Sequence, residues 1–368
     1  MERRNFLKTS LKTLGAGTAG VVAAPFVNTA SAQETITWNM VTSWPKNFPA
    51  LGTGANAFAE RIERMSGGRM RVKVHGAGEM VPAMEVFDAV SAGTAEMGHS
   101  ASYYWRGKVA AAQFFTAVPF GMTTTETNAW LYDGDGQPLW DEVYAEHNLK
   151  PFPVGNTGTQ MAGWFKKEIK SLEDMQGLKL RLPGLAGEAM SGIGVTTMTT
   201  PGSEIFTSMQ TGVLDAADWV GPYNDLAFGL HQVADYYYTS AWNEPSAILE
   251  GTVNLDAWKA LPDDLKAVVT EAARASNLAM ISEFALRNAE ALKTLVDEHG
   301  VKLREFPDDV MSALHESSKK VLQKQIDSDE ASRRIYDSYR AFQQKVRPFT
   351  DVGEFAYLKA REQQLSES

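Results

Sequence analysis

Four polar clusters stand at the ends of apolar segments, and their residue types suit the capture of a small anion. Asn156-Thr157-Gly158-Thr159-Gln160 precedes the run Met161 to Phe165, and Arg181 lies inside the strand-like segment Leu178 to Leu182. Asp218-Trp219 closes an apolar run before Gly221-Pro222, and Trp242-Asn243-Glu244 follows Tyr236-Tyr237-Tyr238. In open α/β sheets, ligands bind beyond the carboxyl ends of strands. An arginine there can grip a carboxylate through two parallel N–H donors. A glutamine amide orients the ligand, and aromatic faces enclose it and exclude water. Asp218 and Glu244 repel an anion unless a cation lies between them, and a hard cation with oxygen ligands resolves that conflict. Spacing alone equally allows Asp218 to be a helix N-cap and Arg181 to be half of a structural ion pair.

Other chemistries find little support. Gly15-Ala16-Gly17-Thr18-Ala19-Gly20 matches a dinucleotide fingerprint but follows no strand, and Gly52-Thr53-Gly54 opens a helix after a connection interrupted by Pro45 and Pro49. The histidines at 75, 99, 147, 231, 299 and 315 show no metal-binding spacing. Gly98-His99-Ser100-Ala101-Ser102 lacks the last glycine of a nucleophile elbow, and Asp133-Gly134-Asp135-Gly136 runs into Gln137-Pro138 where a calcium loop would continue. Cysteine is absent, which excludes thiolate nucleophiles, iron–sulfur clusters and Cys-ligated zinc. No enzyme motif survives, and the expectation is a protein that binds without covalent chemistry.

The elements that must position these residues read as α/β. A strand from Thr35 to Val41, a helix over 51–65 and an alternating strand from Met70 to Val74 come first, then a short helix over 84–90 and a strand near 95–98. That order predicts a parallel sheet. A second α/β unit is expected after Lys150-Pro151-Phe152-Pro153, with a strand at 178–182 and helices near 184–193 and 204–210, the latter stopped by Thr211-Gly212. Long helical runs cover about 263–299, 307–325 and 328–346.

Residues 1–32 carry a basic start with Arg3-Arg4-x-Phe6-Leu7-Lys8, an apolar middle and Ala30-Ser31-Ala32, the pattern of a twin-arginine export signal. Cleavage after Ala32 removes four basic residues and one acid from totals of 35 and 45, leaving 31 against 44 and a formal charge of −13. So acidic a chain is not expected to bind nucleic acid or anionic membrane surfaces.

With these segments in view, the chain resembles the substrate-binding proteins of tripartite ATP-independent periplasmic (TRAP) transporters from Thr35 through the C-terminal helices. The most specific parts are Leu178-Lys179-Leu180-Arg181 and the stretch from Glu204 to Asp215. Gly155 to Met161 and Trp219-Val220-Gly221-Pro222-Tyr223 are similar to the branch that binds 2-oxoacids or 2-hydroxyacids with a metal ion. The resemblance implies a periplasmic binding protein that hands pyruvate, lactate or a longer 2-oxoacid to membrane subunits. Arg181 would pair with the ligand carboxylate, Gln160 would contact ligand, metal or both, and Tyr103 or Tyr104 would reach in from the other lobe. Asn156 and the side chain of Trp219 complete the expected ligand-binding set with Glu244. Asp218, the Trp219 carbonyl, Gln160 and Glu244 would surround Na⁺ or Ca²⁺, the choice being open because Asp218 is one methylene shorter than a Glu at that position. The implied architecture is a two-lobed α/β fold with a long spanning helix and extra C-terminal helices. Lobe I would hold 33–154 plus about 245–282, lobe II 155–244 plus about 283–306, and 307–368 a helical segment for a homodimer or for packing on its own lobe. The alternatives are a metal-independent receptor for a dicarboxylate or sugar acid, and a secreted lyase or hydrolase using Asp218 and Glu244 as acid and base.

Overall fold

The computed structural model describes residues 35–366; the export signal expected at 1–32 lies outside them. Among the described residues eleven strands run in chain order. They are β1 (Ile36–Thr42), β2 (Met70–His75), β3 (Met97–Ser100), β4 (Leu149–Asn156), β5 (Gly163–Phe165), β6 (Lys179–Arg181), β7 (Thr196–Met198), β8 (Ala216–Ala217), β9 (Tyr236–Tyr238), β10 (Ile248–Asn254) and β11 (Lys302–Arg304). They form two sheets, of order β2-β1-β3-β10-β4 and β11-β9-β5-β8-β6-β7.

The expected parallel unit is present, since β1 pairs in parallel with both β2 and β3. The sheet as a whole is mixed, because β10 returns antiparallel between β3 and β4. Lys150-Pro151-Phe152-Pro153 does not separate two units. It lies within β4, an edge strand whose pairing to β10 shifts register between Leu249 and Glu250. Proline lacks the N–H that a central strand must donate, so an edge with a bulge is where a strand can carry two of them. The apolar run closed by Asp218-Trp219 forms a strand of only Ala216–Ala217. It leaves the sheet at Asp218, and the chain turns at Gly221 into the helix Pro222–Ala227, with proline in its first turn.

The helix Asp263–Asp297 joins the two sheets. Its N-terminal half packs Leu265, Val269, Ala272 and Ala273 with Met97, Phe152 and Val154 on the first sheet and with Phe58 on the helix Leu51–Met65. Its later turns place Met280, Phe284 and Leu295 with Trp164 and Tyr237 of the second sheet and with Trp219 just beyond its strand Ala216–Ala217. The change-over falls at Met280. Its thioether occupies a slot where a Cβ on Gly54 or on Gly155 would come within 2.5 Å of it. Two further helices, Asp308–Ser328 and Glu330–Thr350, pack mainly on each other and on neighbouring elements, while Phe349, Val352, Phe355 and Tyr357 near the C-terminus stay exposed.

Candidate functional site

Backbone hydrogen bonds draw the four sequence-distant clusters together. Gln160 N donates to the Glu244 carbonyl (3.2 Å), Met161 N to the Val220 carbonyl (3.1 Å) and Asp218 N to the Arg181 carbonyl (2.9 Å). The side chains that result are buried. Arg181 is 0% exposed, Asp218 1%, Glu244 2% and Gln160 5%. A guanidinium and two carboxylates withdrawn from water are tolerated only if partners replace the lost hydration.

Arg181 is well supplied. Its Nε and Nη2 donate to the Thr200 carbonyl (3.2 Å each), Nη1 to the Asp218 carbonyl (2.9 Å) and Nη2 also to the Tyr104 hydroxyl (3.2 Å). The guanidinium lies 5.2 Å from the Trp219 ring centroid. The indole in turn lies over residue 202, where any Cβ would sit 2.3 Å from a ring atom, so Gly202 is required there. Arg181 thus rests on carbonyls and an aromatic face rather than in a structural ion pair. Asp218 is no N-cap either, because the following helix is capped at Gly221 without a side-chain bond. With these four contacts in place one N–H of Nη1 is uncommitted. A carboxylate would take that donor and share or displace the Tyr104 hydroxyl to reach a second.

The carboxylates are poorly supplied. Asp218 Oδ1 accepts from Asn243 Nδ2 at 3.2 Å, while Oδ2 has no donor. Glu244 Oε2, Gln160 Oε1 and Asn243 Oδ1 are likewise buried without a hydrogen-bond partner. Gln160 is oriented by its own amide, which donates to Thr157 Oγ1 at 3.0 Å. Burial pushes Asp218 up to about 7, with Arg181 pulling the other way. Glu244 is driven well above the usual carboxylate range by burial and then by the charge of Asp218, again opposed by Arg181. The two titrate as a pair. Among the described residues no three His, Cys, Asp or Glu side chains cluster as a metal site. A cation here would have to draw on neutral oxygens as well, and the unpartnered Gln160 and Asn243 oxygens are of the type that hard cations take. The donor set therefore fits Na⁺ or Ca²⁺.

The first sheet's side closes over this site. Tyr103 and Tyr104 sit on the turn Ser102–Trp105, their rings 4.8 Å apart, and Tyr104 reaches Arg181. Trp44 packs edge-on to Trp219 at 6.3 Å and donates its indole N–H to Nδ1 of buried His99 at 2.7 Å. Burial lowers His99 to about 4, so it stays neutral as a packing partner, while Ser100 Oγ bonds Ser43 Oγ at 2.6 Å. Arg106 crosses to Glu188 at 2.8 Å, and Phe48 stacks on Phe228 at 4.2 Å. Asn156 is close by but fully engaged, donating to Ser246 Oγ (3.0 Å) and accepting from Gly158 N (2.8 Å), which orders the loop leading to Gln160. Sequence reasoning missed Thr200 and did not single out Asn243. Asn243 was legible between Trp242 and Glu244, but Thr200 acts through its carbonyl, which no residue type signals.

Comparisons with known proteins identify the family. The family model described as bacterial extracellular solute-binding protein, family 7, matches residues 40–329. The monocarboxylate 2-oxoacid-binding periplasmic protein of Nostoc sp. strain PCC 7120 is 40% identical over 362 residues, 97% of this chain and 98% of its own. A TRAP periplasmic solute-binding protein from Pseudoalteromonas atlantica T6c, solved with bound sodium and pyruvate, is 39% identical with a TM-score of 0.86, covering 89% of this chain and 99% of that one. A TRAP solute-binding protein from Bordetella bronchiseptica RB50 is 33% identical with a TM-score of 0.88, over 91% of this chain and 99% of that one. It was solved as a mixed-occupancy dimer with calcium and picolinate in the active site. The chain belongs to the DctP family, family 7 of the bacterial extracellular solute-binding proteins, periplasmic receptors of TRAP transport and not enzymes.

Proposed function

We infer that the protein captures a small 2-oxo-monocarboxylate of the pyruvate type together with a cation and delivers it to the membrane subunits. The observation that carries this reading is a buried guanidinium in the same site as two buried carboxylates and two amide oxygens that have no hydrogen-bond donors. Arg181 would take the ligand carboxylate, with Tyr104, Tyr103 and the Trp219 indole enclosing it. Asp218, Glu244, Gln160 and the Trp219 carbonyl would hold the cation, with Asn243 orienting Asp218. The cation supplies the positive charge that lets an anion lie beside two carboxylates. A metal-independent dicarboxylate site is disfavoured, because the second ligand carboxylate would meet those same unpartnered acceptors.

Within this reading 2-hydroxyacids such as lactate are candidate ligands, since a hydroxyl can replace the keto oxygen as a donor to the metal. The lobes would comprise 33–154 with about 245–282, and 155–244 with about 283–306. The exposed Phe349, Val352 and Phe355 suit a homodimer through the C-terminal segment 307–368. Residues 1–32 would direct export by the twin-arginine route.

Calorimetric titration with pyruvate, lactate and longer 2-oxoacids, with and without Na⁺ or Ca²⁺, tests the whole reading. Cation-dependent binding of a 2-oxoacid is the expected result. Affinity that ignores the cation would refute the metal assignment, and absence of any 2-oxoacid binding would refute the ligand class.

A further inference from the structure

A second buried carboxylate network lies behind the aromatic turn rather than in the ligand site. Glu250, on strand β10, is 1% exposed and sits among aromatic side chains. Three donors converge on it. Ser102 Oγ donates to Oε2 at 2.6 Å, Tyr144 OH to the same oxygen at 2.7 Å and Trp105 Nε1 to Oε1 at 2.5 Å. Two of those donors are the first and last residues of the turn Ser102–Trp105. The residues between them are Tyr103 and Tyr104.

Besides burying Tyr103 and Trp105, the turn is held by backbone bonds such as Tyr104 N to the Ala101 carbonyl at 3.1 Å, none of which fixes both of its ends at once. It is a single turn of 3₁₀ helix with no side-chain cap, and such short pieces have poor intrinsic stability. Tyr103 N gains only a 3.3 Å bond to Thr116 Oγ1. The carboxylate fixes both ends at once, since its two oxygens and the strand behind them allow little freedom. Tyr144 braces the carboxylate from the helix Gly136–Ala145, with its ring against Phe87 and Trp140. Glu250 therefore sets where the Tyr104 hydroxyl meets Arg181 without touching the ligand site itself.

We propose that Glu250 is a positioning residue for solute capture, holding Ser102 and Trp105 so that Tyr103 and Tyr104 are presented to the carboxylate bound at Arg181. The proposal rests on the functional reading above. It predicts that the shape and hydrogen bonds of the side chain matter and its negative charge does not. In Glu250→Gln the amide oxygen still accepts from Trp105, while the amide N–H groups donate to Ser102 and Tyr144, whose hydroxyls accept as readily as they donate. In Glu250→Met the volume is kept and all three bonds are lost.

The test is pyruvate affinity in Na⁺ buffer, by calorimetry, on the full mature chain. Glu250→Met should weaken binding about tenfold or more, Glu250→Gln should stay within about threefold of wild type, and Ser102→Ala should fall between them. Tyr104→Phe combined with Ser102→Ala should lose less than the sum of the single losses, because both act on one contact. Should Glu250→Met not fold, Ser102→Ala and Glu250→Gln carry the test alone. Wild-type affinity in Ser102→Ala and Glu250→Met, or strict additivity with Tyr104→Phe, overturns the proposal. So does full affinity in Tyr103→Phe and Tyr104→Phe while Arg181→Ala abolishes binding, an outcome that leaves the functional reading standing. Full affinity in Arg181→Ala would bring down the functional reading itself.

Discussion

Two sets of buried carboxylates in this molecule share their burial and differ in everything else. Asp225 accepts from Tyr237 OH (2.6 Å), Trp164 Nε1 (2.9 Å) and Val220 N (3.2 Å), and Glu250 accepts from three donors of its own. Asp218 and Glu244, a few residues from them in sequence, each keep an oxygen that nothing satisfies. A fold that can surround two acids with donors does not leave two others short for lack of means. The first pair serves the scaffold, bracing the 218–221 turn and the tyrosine turn, whereas the second, on the proposed reading, is completed by a ligand and cation from outside.

The contrast can be broken at several points. Arg181→Ala is expected to have the largest effect, weakening pyruvate binding by more than about a hundredfold, since truncating one partner of a buried charge pair costs roughly 2–5 kcal/mol. Calorimetry would show it, and a near-wild-type Kd would refute the clamp. Asp225→Ala should act on the scaffold, lowering unfolding free energy by about 2–4 kcal/mol in denaturant titration by stranding Trp164 and Tyr237. Asp218→Asn should do the opposite to the cation-free protein, raising its Tm while removing most of the cation dependence of binding, because the unpaired charge disappears. A variant less stable than wild type without cation would place Asp218 with the scaffold acids.

The pH response follows from the same pair. Both carboxyls titrate above their ordinary range in the cation-free protein, so the folded state holds protons that the unfolded chain releases. Their contribution is fully present below about pH 4 and is lost as pH rises through about 7, the value for Asp218. Na⁺ or Ca²⁺ competes with those protons, so the Tm gain on adding cation should be larger at pH 8 than at pH 5. An equal gain at both would mean that protons and cation do not share the site. The smallest effect is expected from the exposed pair that joins the two sides. Arg106→Ala should raise Kd about two- to fivefold through faster dissociation, consistent with roughly 1 kcal/mol at most for a part-exposed ion pair.

The helices and the arginine were legible in the sequence for the same reason, which is that their signals are local. The apolar spacing of Phe58 and Ile62 lies in one helix face, and an arginine between Leu180 and Leu182 is conspicuous wherever it occurs. Strand β10 was missed because Ile248 to Asn254 is buried on both faces and shows no alternation, while Glu250 and Gly251 interrupt it. Strands of two or three residues, such as β8 and β11, are shorter than any periodicity can register. At the site, Gln160, Asp218 and Glu244 could be singled out by type. The hydrogen-bonding debts that distinguish Asp218 from Asp225, only seven residues on, exist only once the chain has folded.

Met280 has a consequence in oxidation chemistry. Because Gly54 and Gly155 contribute no side chains to the slot, its filling is entirely the work of one thioether, at the point where the long helix passes from one sheet to the other. Conversion to the sulfoxide would place a polar, bulkier group against two bare backbones, wedging that helix away from both. At 3% exposure Met280 is shielded, whereas Met65 and Met80 are 48% and 40% exposed, so oxidant would meet those sulfurs first and reach this slot only when the packing around it opens.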